Sequence, residues 1–341
     1  MQKLLTQGKL LENGRLAQAG YSTSTVRQYD RKDIRGHKWR IKEWDYYIVT
    51  DGKKAVALTV ADNSYMSLVS ASFLYFEKPL YKTTSEMKFF TFGKLNLPSC
   101  PETGNVGYAS KKVKMSFEKL SDRRILQCAF EDFWDGTPFE CYLELTDFPK
   151  DQMTIATPFR KKHAFYYNTK INCMRAKGYC VVKGMHMSFD ESESLGTLDW
   201  GRGIWTYKNT WYWSSLQTRL QNGKTFGFNL GYGFGDTSAA TENMVFMDGV
   251  AHKLDKVVFE IPQKNGKDDF LSPWTIHDNE GRLDLQFVPV LDRKDITDLG
   301  VLASRQHQVF GHFSGTVILD NGKKVKIQNK LGFAEKVFNK W

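Results

Sequence analysis

The sequence predicts an all-β protein made of two similar antiparallel domains, and three observations carry that expectation. Hairpin turn signals recur along the 341 residues, the residues between them alternate with a period of two, and no window supports an amphipathic helix. The 41% hydrophobic and 14% aromatic content can build a substantial core, so wholesale disorder is not expected.

The turns are "ENG" at 12–14, "DG" at 51–52, 135–136 and 248–249, "NG" at 222–223 and "DNG" at 320–322. Asn-Gly and Asp-Gly pairs supply the positive φ angles of type I′ hairpins. Between them lie strand-like segments: Val56, Leu58 and Val60 alternate with Ala55, Ala57 and Thr59. "FECYLEL" (139–145), "RLDLQFVPV" (282–290) and "GTVILD" (315–320) read the same way. None of the nine prolines falls between Phe159 and Ile261, which suits long central strands.

One plan occurs twice. "KEWDYYIVTDGKKAVALTVADNSY" (42–65) holds a Trp-x-Tyr strand, a DGK turn and a return strand. "NTWYWSSLQTRLQNGKTFGFNLGYGFGD" (209–236) holds a Trp-x-Trp strand, an NGK turn and a return strand. The shared plan suggests a duplication, with domains at 1–175 and 176–341.

Charge and cysteine content narrow the function classes. The net charge of +10 is spread, with small clusters at 111–114, 160–163 and 323–326. In the last, Lys324 and Lys326 alternate with Val325 and Ile327, as on a strand with one wet face, so no nucleic-acid partner is expected. The charge leaves room for a weak attraction to an anionic membrane surface. Cys100, Cys128, Cys141, Cys173 and Cys180 form no CxxC pair, which favours inert reduced thiols over a metal site. No cofactor is implied. The first residues lack a signal-peptide apolar segment and no apolar run is long enough to span a bilayer, so a cytoplasmic location is the expectation.

The chemistry concentrates in "DWGRGIWTYKNTWYW" (199–213), which holds Trp200, Trp205, Trp211 and Trp213, four of the nine tryptophans. Such crowding is either a core corner or the wall of a pocket. The stretch reads as one strand of a hairpin whose return strand is "FGFNLGYGFG" (226–235). Period two puts Phe226, Phe228, Leu230, Tyr232 and Phe234 on one face, and Asn229 among glycines on the other. A bare face calls for close approach of another element, a bent barrel corner or a ligand. Asn229 would then fix the orientation of a ligand in an apolar interior.

Asp199 and Arg202 are the candidate chemical pair. An aspartate among indoles is partly desolvated, which favours a protonated carboxyl able to donate to an alkene. The other reading of the pair is a structural clamp. Asp236, Glu242 and Asn243 follow the glycine strand and would rim a cavity mouth or cap a turn. Trp44 and Tyr46 occupy the equivalent positions of the first hairpin. Gly231, Gly233 and Gly235 lack dinucleotide-loop spacing, no Gly-x-Ser-x-Gly elbow occurs, and His186, His312 and Glu335 show no catalytic spacing.

These segments resemble a family. "GKLLENGRLAQAGYS" (8–22), "KEWDYY" (42–47), "GTLDWGRGIWTYKNTWYW" (196–213), "GFNLGYGFGDTSAATEN" (227–243), "DGVAHKL" (248–254) and "GFAEKVFNKW" (332–341) are similar to bacterial domain-of-unknown-function family 2804. A more distant similarity, carried by Gly184, Asp199, Trp200, Gly201, Trp211, Trp213, Asn222 and Gly223, is to AttH-like and carotenoid hydratase proteins. That resemblance implies two lipocalin-like antiparallel β-barrels or half-barrels packed together, with Asp199 at an acidic position of the site. The chain departs from the pattern around the first tryptophan, where Asp199 alone precedes Trp200 and Arg202 follows it.

The function expected is binding of a lipid-like or isoprenoid-like apolar molecule inside the C-terminal barrel or between barrels. Trp200, Trp205, Trp211 and Trp213 form its wall, Asn229, Tyr232 and Asp199 adjoin it, and Trp44 and Tyr46 contribute from the first hairpin. The alternatives are acid-promoted hydration, cyclisation or isomerisation of an alkene, with Asp199 donating and Arg202 tuning it, or a scaffold without ligand.

Overall fold

The structure is a computed structural model and describes residues 2–298, 300 and 302–340. Hairpin turns form at the predicted signals: Asn13, Asp135 and Asp248 take φ of 51°, 52° and 53°, each followed by a positive-φ glycine.

Two large antiparallel sheets result, each curled into a half-barrel. The first contains thirteen strands. Its main path begins Val106–Ala109, Val113–Lys119, Arg124–Trp134, Thr137–Thr146 and Phe165–Val182. It continues through Leu195–Ile204, Ile41–Thr50, Lys54–Asp62, Met66–Tyr75 and Leu80–Phe89. The last of these curls back to the Arg124–Trp134 strand, where Thr84 Oγ1 donates to Phe133 O at 2.7 Å.

The second sheet has nine strands, beginning Val250–Lys253, Met244–Met247, Thr225–Tyr232, Lys208–Arg219 and Lys324–Lys340. Ala303–Ile318, Leu283–Asp298, Trp274–Asp278 and Val257–Glu260 complete it. Its far end also returns, with the Phe259 N–H donating to the Tyr232 hydroxyl at 3.3 Å.

The chain changes sheets between Ile204 and Lys208. The Phe165–Val182 strand runs through the 175/176 division drawn from the sequence and pairs with Leu195–Ile204 in the first sheet. The stretch 199–213 is therefore not one strand. It ends one strand, turns at Trp205, Thr206 and Tyr207, and starts a strand of the other sheet. Asn209 Nδ2 ties the bend by donating to Thr206 O at 2.8 Å. Its second half does pair with the glycine strand, setting Trp213 opposite Gly231.

Period two decides what each strand buries. Tyr47, Val49, Val56, Leu58 and Phe73 fill the first half-barrel. Their neighbours Tyr46, Ile48, Ala55, Ala57 and Leu74 instead meet Phe310, Leu331 and Phe333 of the second sheet. Phe226, Phe228, Leu230, Trp274, Phe287 and Phe313 fill the second half-barrel, so the open space lies between the half-barrels.

The bare face of the glycine strand allows close approach of the first sheet. A Cβ on Gly227 would stand 2.5 Å from Cys173 Sγ and 2.8 Å from Leu216 O. The expected alternation stops at Gly233, whose φ of 89° turns Phe234 into a different cluster from Tyr232. Burial pushes the Cys173 and Cys180 thiols up to about 12, as suits inert cysteines. Among the described residues, no helix is long and apolar enough to cross a membrane.

Gly227→Ala is expected to lower stability by about 1–3 kcal/mol through overpacking. Urea unfolding checks this, and an unchanged midpoint would show that the sheets do not meet this closely.

Candidate functional site

Two rows of side chains, one on each sheet, face each other between the half-barrels. In the first sheet the register aligns Lys170, Asp199, Tyr46, Thr59, Ser70 and Ser85 on adjacent strands. In the second it aligns Arg293, Gln308, Glu335 and Trp213. Directly opposed residues of antiparallel strands share a face, so each row is continuous. Every one of these residues lines a single cavity of about 690 Å³. That volume lies within the ~300–1,000 Å³ usual for small-molecule sites.

One end of the cavity is aromatic. Trp205 meets Trp44 at 5.4 Å, Trp211 at 5.7 Å and Phe234 at 4.8 Å between ring centroids, all edge-on. The Trp44 indole lies against the backbone of Gly201, where a Cβ would come within 1.9 Å of the ring. At the other end, exposed Thr83, Lys294 and Asp295 form a polar rim.

The middle is charged. Asp199 Oδ1 accepts from Lys170 Nζ at 2.9 Å and from Asn168 Nδ2 at 2.6 Å. Lys170 Nζ also lies 3.8 Å from the Trp213 ring centroid, a cation–π contact that links the two sheets. Glu335 accepts from Trp211 Nε1 at 3.2 Å and from Gln308 Nε2 at 3.1 Å. Burial pushes its carboxyl up to about 7, against the opposing pull of the Trp211 N–H and the Lys170 and Arg293 charges. Burial raises Glu242 as well, with Lys170 and Asn229 opposing the rise. Among the described residues, the Tyr46 hydroxyl, Trp205 Nε1 and Gln308 Oε1 are buried without a well-formed hydrogen bond. Unpaired buried groups on a cavity wall are points at which a ligand or water gains free energy by binding.

Of the residues singled out in the sequence, Trp44, Tyr46, Asp199, Trp205, Trp211, Trp213 and Glu242 line this cavity. Asn229 stands behind the wall, accepting from Trp213 Nε1 at 2.7 Å and donating to Glu242 O at 2.8 Å. Trp200 and Arg202 do not line it. They alternate with Asp199 and Gly201, so their side chains enter the first half-barrel instead. Trp200 packs edge-on against Tyr29 and Tyr167 there.

Arg202 is thus not the partner of Asp199. It donates to Asp45 Oδ1 at 2.9 Å and to Pro98 O at 2.6 Å, and Lys119 holds the other Asp45 oxygen. The side chains of Arg202, Asp45 and Lys119 are all 0% exposed. Burial pushes the Asp45 carboxyl up, and the Lys119 and Arg202 charges more than offset it, leaving it below its ordinary value.

Tyr232 and Asn243 do not line the cavity, and Asp236 takes the second of its two expected roles, capping a turn. Tyr232 stacks on Tyr212 with 4.4 Å between centroids, among the residues of the second core. Asp236 is exposed and accepts from the Ser238 N–H in a turn. Asn243 is a buried strut between the Gly231 N–H and Asp255 O, at 2.6 and 2.7 Å.

Lys170, Arg293 and Gln308 escaped the sequence reading, in which Glu335 shows no catalytic spacing. Glu335 left one trace: it shares the alternation of Phe333 and Val337, an acid on an otherwise apolar strand face.

These features define a class of protein: paired antiparallel β half-barrels with a polar-centred, aromatic-ended cavity between them. The architecture recurs in the crystal structure of an AttH-like protein from Nitrosomonas europaea, with a TM-score of 0.56 at 10% identity. The match covers 92% of this chain and 98% of that one, and it is a likeness of fold. Kievitone hydratase from Nectria haematococca aligns at a TM-score of 0.47 and 12% identity, covering 88% of each chain. CghA, in a structure with Sch210972, aligns at 0.44 and 8% identity over 98% of this chain and 97% of that one. No curated protein matches the sequence. The family description DUF2804, a domain of unknown function, matches residues 1–341, and the chain belongs to that family.

Two outcomes are expected. Glu335 titrates at about 7 in the fold against an ordinary value of 4.5, so folding favours its protonated form. Its contribution is fully present below the unfolded value and is lost as pH rises through the folded one. Glu335→Gln should therefore flatten the fall in stability across that window, read as unfolding midpoints at several pH values; parallel profiles would contradict the assignment. Asp45→Leu strands the buried Arg202 and Lys119 cations and should cost about 3–5 kcal/mol. A loss below about 1 kcal/mol in urea unfolding would mean that the Asp45 cluster is not a structural anchor.

Proposed function

We propose that the protein binds a small molecule with an apolar body, of the lipid or isoprenoid class, in the cavity between its half-barrels. The observation that carries this reading is the pair of facing rows. Tryptophans at one end receive apolar surface, while Lys170, Asp199, Glu335 and Arg293 at the centre meet a polar group. Thr59, Ser70 and Ser85 extend the polar wall with hydroxyls able to donate or accept. Arrangements of this kind fix a ligand's orientation by few polar contacts and its affinity by apolar burial.

Titration with a prenyl alcohol or a fatty acid, followed by tryptophan fluorescence, tests the proposal. Saturable quenching and a raised melting temperature are expected, with both weakened in Trp213→Ala. A wild-type protein indifferent to both ligand types would sink it.

A second reading rests on Glu335. A carboxyl that keeps its proton near neutrality beside aromatic faces can protonate an alkene. The electron pair of the double bond takes the Glu335 proton, the indole faces stabilise the cation, and water adds to it. The proton that water then sheds returns to the Glu335 carboxylate, so the net change is hydration. Asp199, the donor expected from the sequence, serves here as the negative charge facing the cation, held in place by Lys170 and Asn168. Glu335→Gln should then bind ligand normally and turn over about 10²–10⁴-fold more slowly. Equal turnover in that variant would remove Glu335 from the chemistry.

A further inference from the structure

Four aromatic rings stand in solvent beside the aromatic end of the cavity. Trp39 is 55% exposed, Phe89 68%, Phe90 59% and Phe92 37%. They form one cluster: Trp39 meets Phe92 at 5.2 Å and Phe90 at 6.0 Å, and Phe90 lies 6.3 Å from Phe89. Trp39, Phe89 and Phe90, with Leu302, border a shallow apolar groove of about 400 Å³. Trp205 lines both this groove and the cavity, so one indole stands between the surface patch and the site.

The rings are held outward by the backbone. Phe90 and Phe92 adopt φ of 60° and 48°, a conformation that bulky residues rarely take. Their N–H groups donate to Tyr65 O and Ser64 O at 2.8 and 2.9 Å, which fixes the loop. Contiguous apolar surface kept exposed in this way marks an interaction face.

The charges around it select the partner. The ring-bearing segments 31–42 and 86–94 carry exposed Lys32, Arg35, Lys38, Lys88 and Lys94, and their acids Asp33 and Glu86 are only half-exposed. Lys38 directly precedes Trp39 and Lys94 follows Phe92 by two, whereas Lys88 turns to the opposite face from Phe89, with its Nζ 4.7 Å from the Tyr108 ring. Aromatic rings flanked by cations are the pairing that interfacial binding to anionic lipid uses: rings enter the headgroup boundary and ammonium groups meet phosphate. The whole chain, at +10, is drawn the same way.

We propose that this face docks on an anionic phospholipid bilayer, with Trp39, Phe89, Phe90 and Phe92 entering the interface and Lys38 and Lys94 contacting headgroups. Docking there sets Trp205, and behind it the aromatic end of the cavity, next to the membrane. The docking itself does not depend on what the cavity holds.

Co-sedimentation of the full chain with phosphatidylcholine vesicles, with and without phosphatidylserine, tests the proposal. Binding should require phosphatidylserine, weaken with salt, and fall about thirtyfold in the surface double variant Lys38→Gln/Lys94→Gln. Phe89→Ser/Phe90→Ser should abolish it, and the cavity variant Trp213→Ala should leave it unchanged. Binding that ignores phosphatidylserine, or that survives both double variants, would overturn the proposal. So would a wild-type dimer in analytical ultracentrifugation that Phe90→Ser dissociates, since a second copy of the chain would then cover the patch.

Discussion

The architecture depends on strands that are buried on both faces. Leu195–Ile204 lies between Phe165–Val182 and Ile41–Thr50, and all ten of its residues are buried. A strand in that position must divide its side chains between two environments, because successive residues point to opposite faces. Asp199 goes to the cavity, Gly201 lies beneath the Trp44 indole on the same face, and Trp200 and Arg202 go into the half-barrel. One dipeptide, Asp199-Trp200, therefore supplies a site carboxylate and a core indole at once.

The two environments are kept apart by chemistry as well as geometry. Inside the first half-barrel, Arg202 and Lys119 are fully enclosed and are balanced by Asp45 and by backbone carbonyls of the segment around Pro98. Burying charges this deeply is tolerable only when each has a partner, so the cluster pins that segment and acts as structure. In the cavity the balance is looser. Lys170 answers Asp199 and touches Trp213, while Glu335 accepts from an indole N–H and an amide and feels the Lys170 and Arg293 charges without an ion pair among the described residues. Partners that stabilise the charge incompletely leave Glu335 protonated near neutrality, and the cavity keeps polar groups free for a ligand.

Much of this was legible in the sequence, for identifiable reasons. Turn residues with positive φ and period-two alternation are local signals, so the all-β class and its hairpins could be read directly. The repeated Trp-x-Tyr and Trp-x-Trp plan marked the cavity wall: Trp44 and Tyr46 line it from the first sheet, and Trp211 and Trp213 from the second. Partnerships across strands were not legible. Asp199 seemed matched to Arg202 because the two are close along the chain, yet its cation is Lys170, on the adjacent strand. Glu335 pairs with Gln308 and Trp213 through register that no local pattern records. The bend at Thr206 was hidden for a similar reason, since aromatic residues continue across it while the chain changes sheets.

The proposed site for an apolar-bodied ligand is the space between the half-barrels, with the ligand's polar group at the Lys170–Asp199–Glu335 centre. The most direct measurement is a crystal of the protein soaked with an iodinated fatty acid or prenyl analogue, with the iodine located by anomalous scattering. A peak is expected among Trp44, Trp205, Trp211 and Phe234, with the polar group near Lys170. A peak confined to the interior of either half-barrel, or ordered iodine on the outer surface alone, would contradict the proposal.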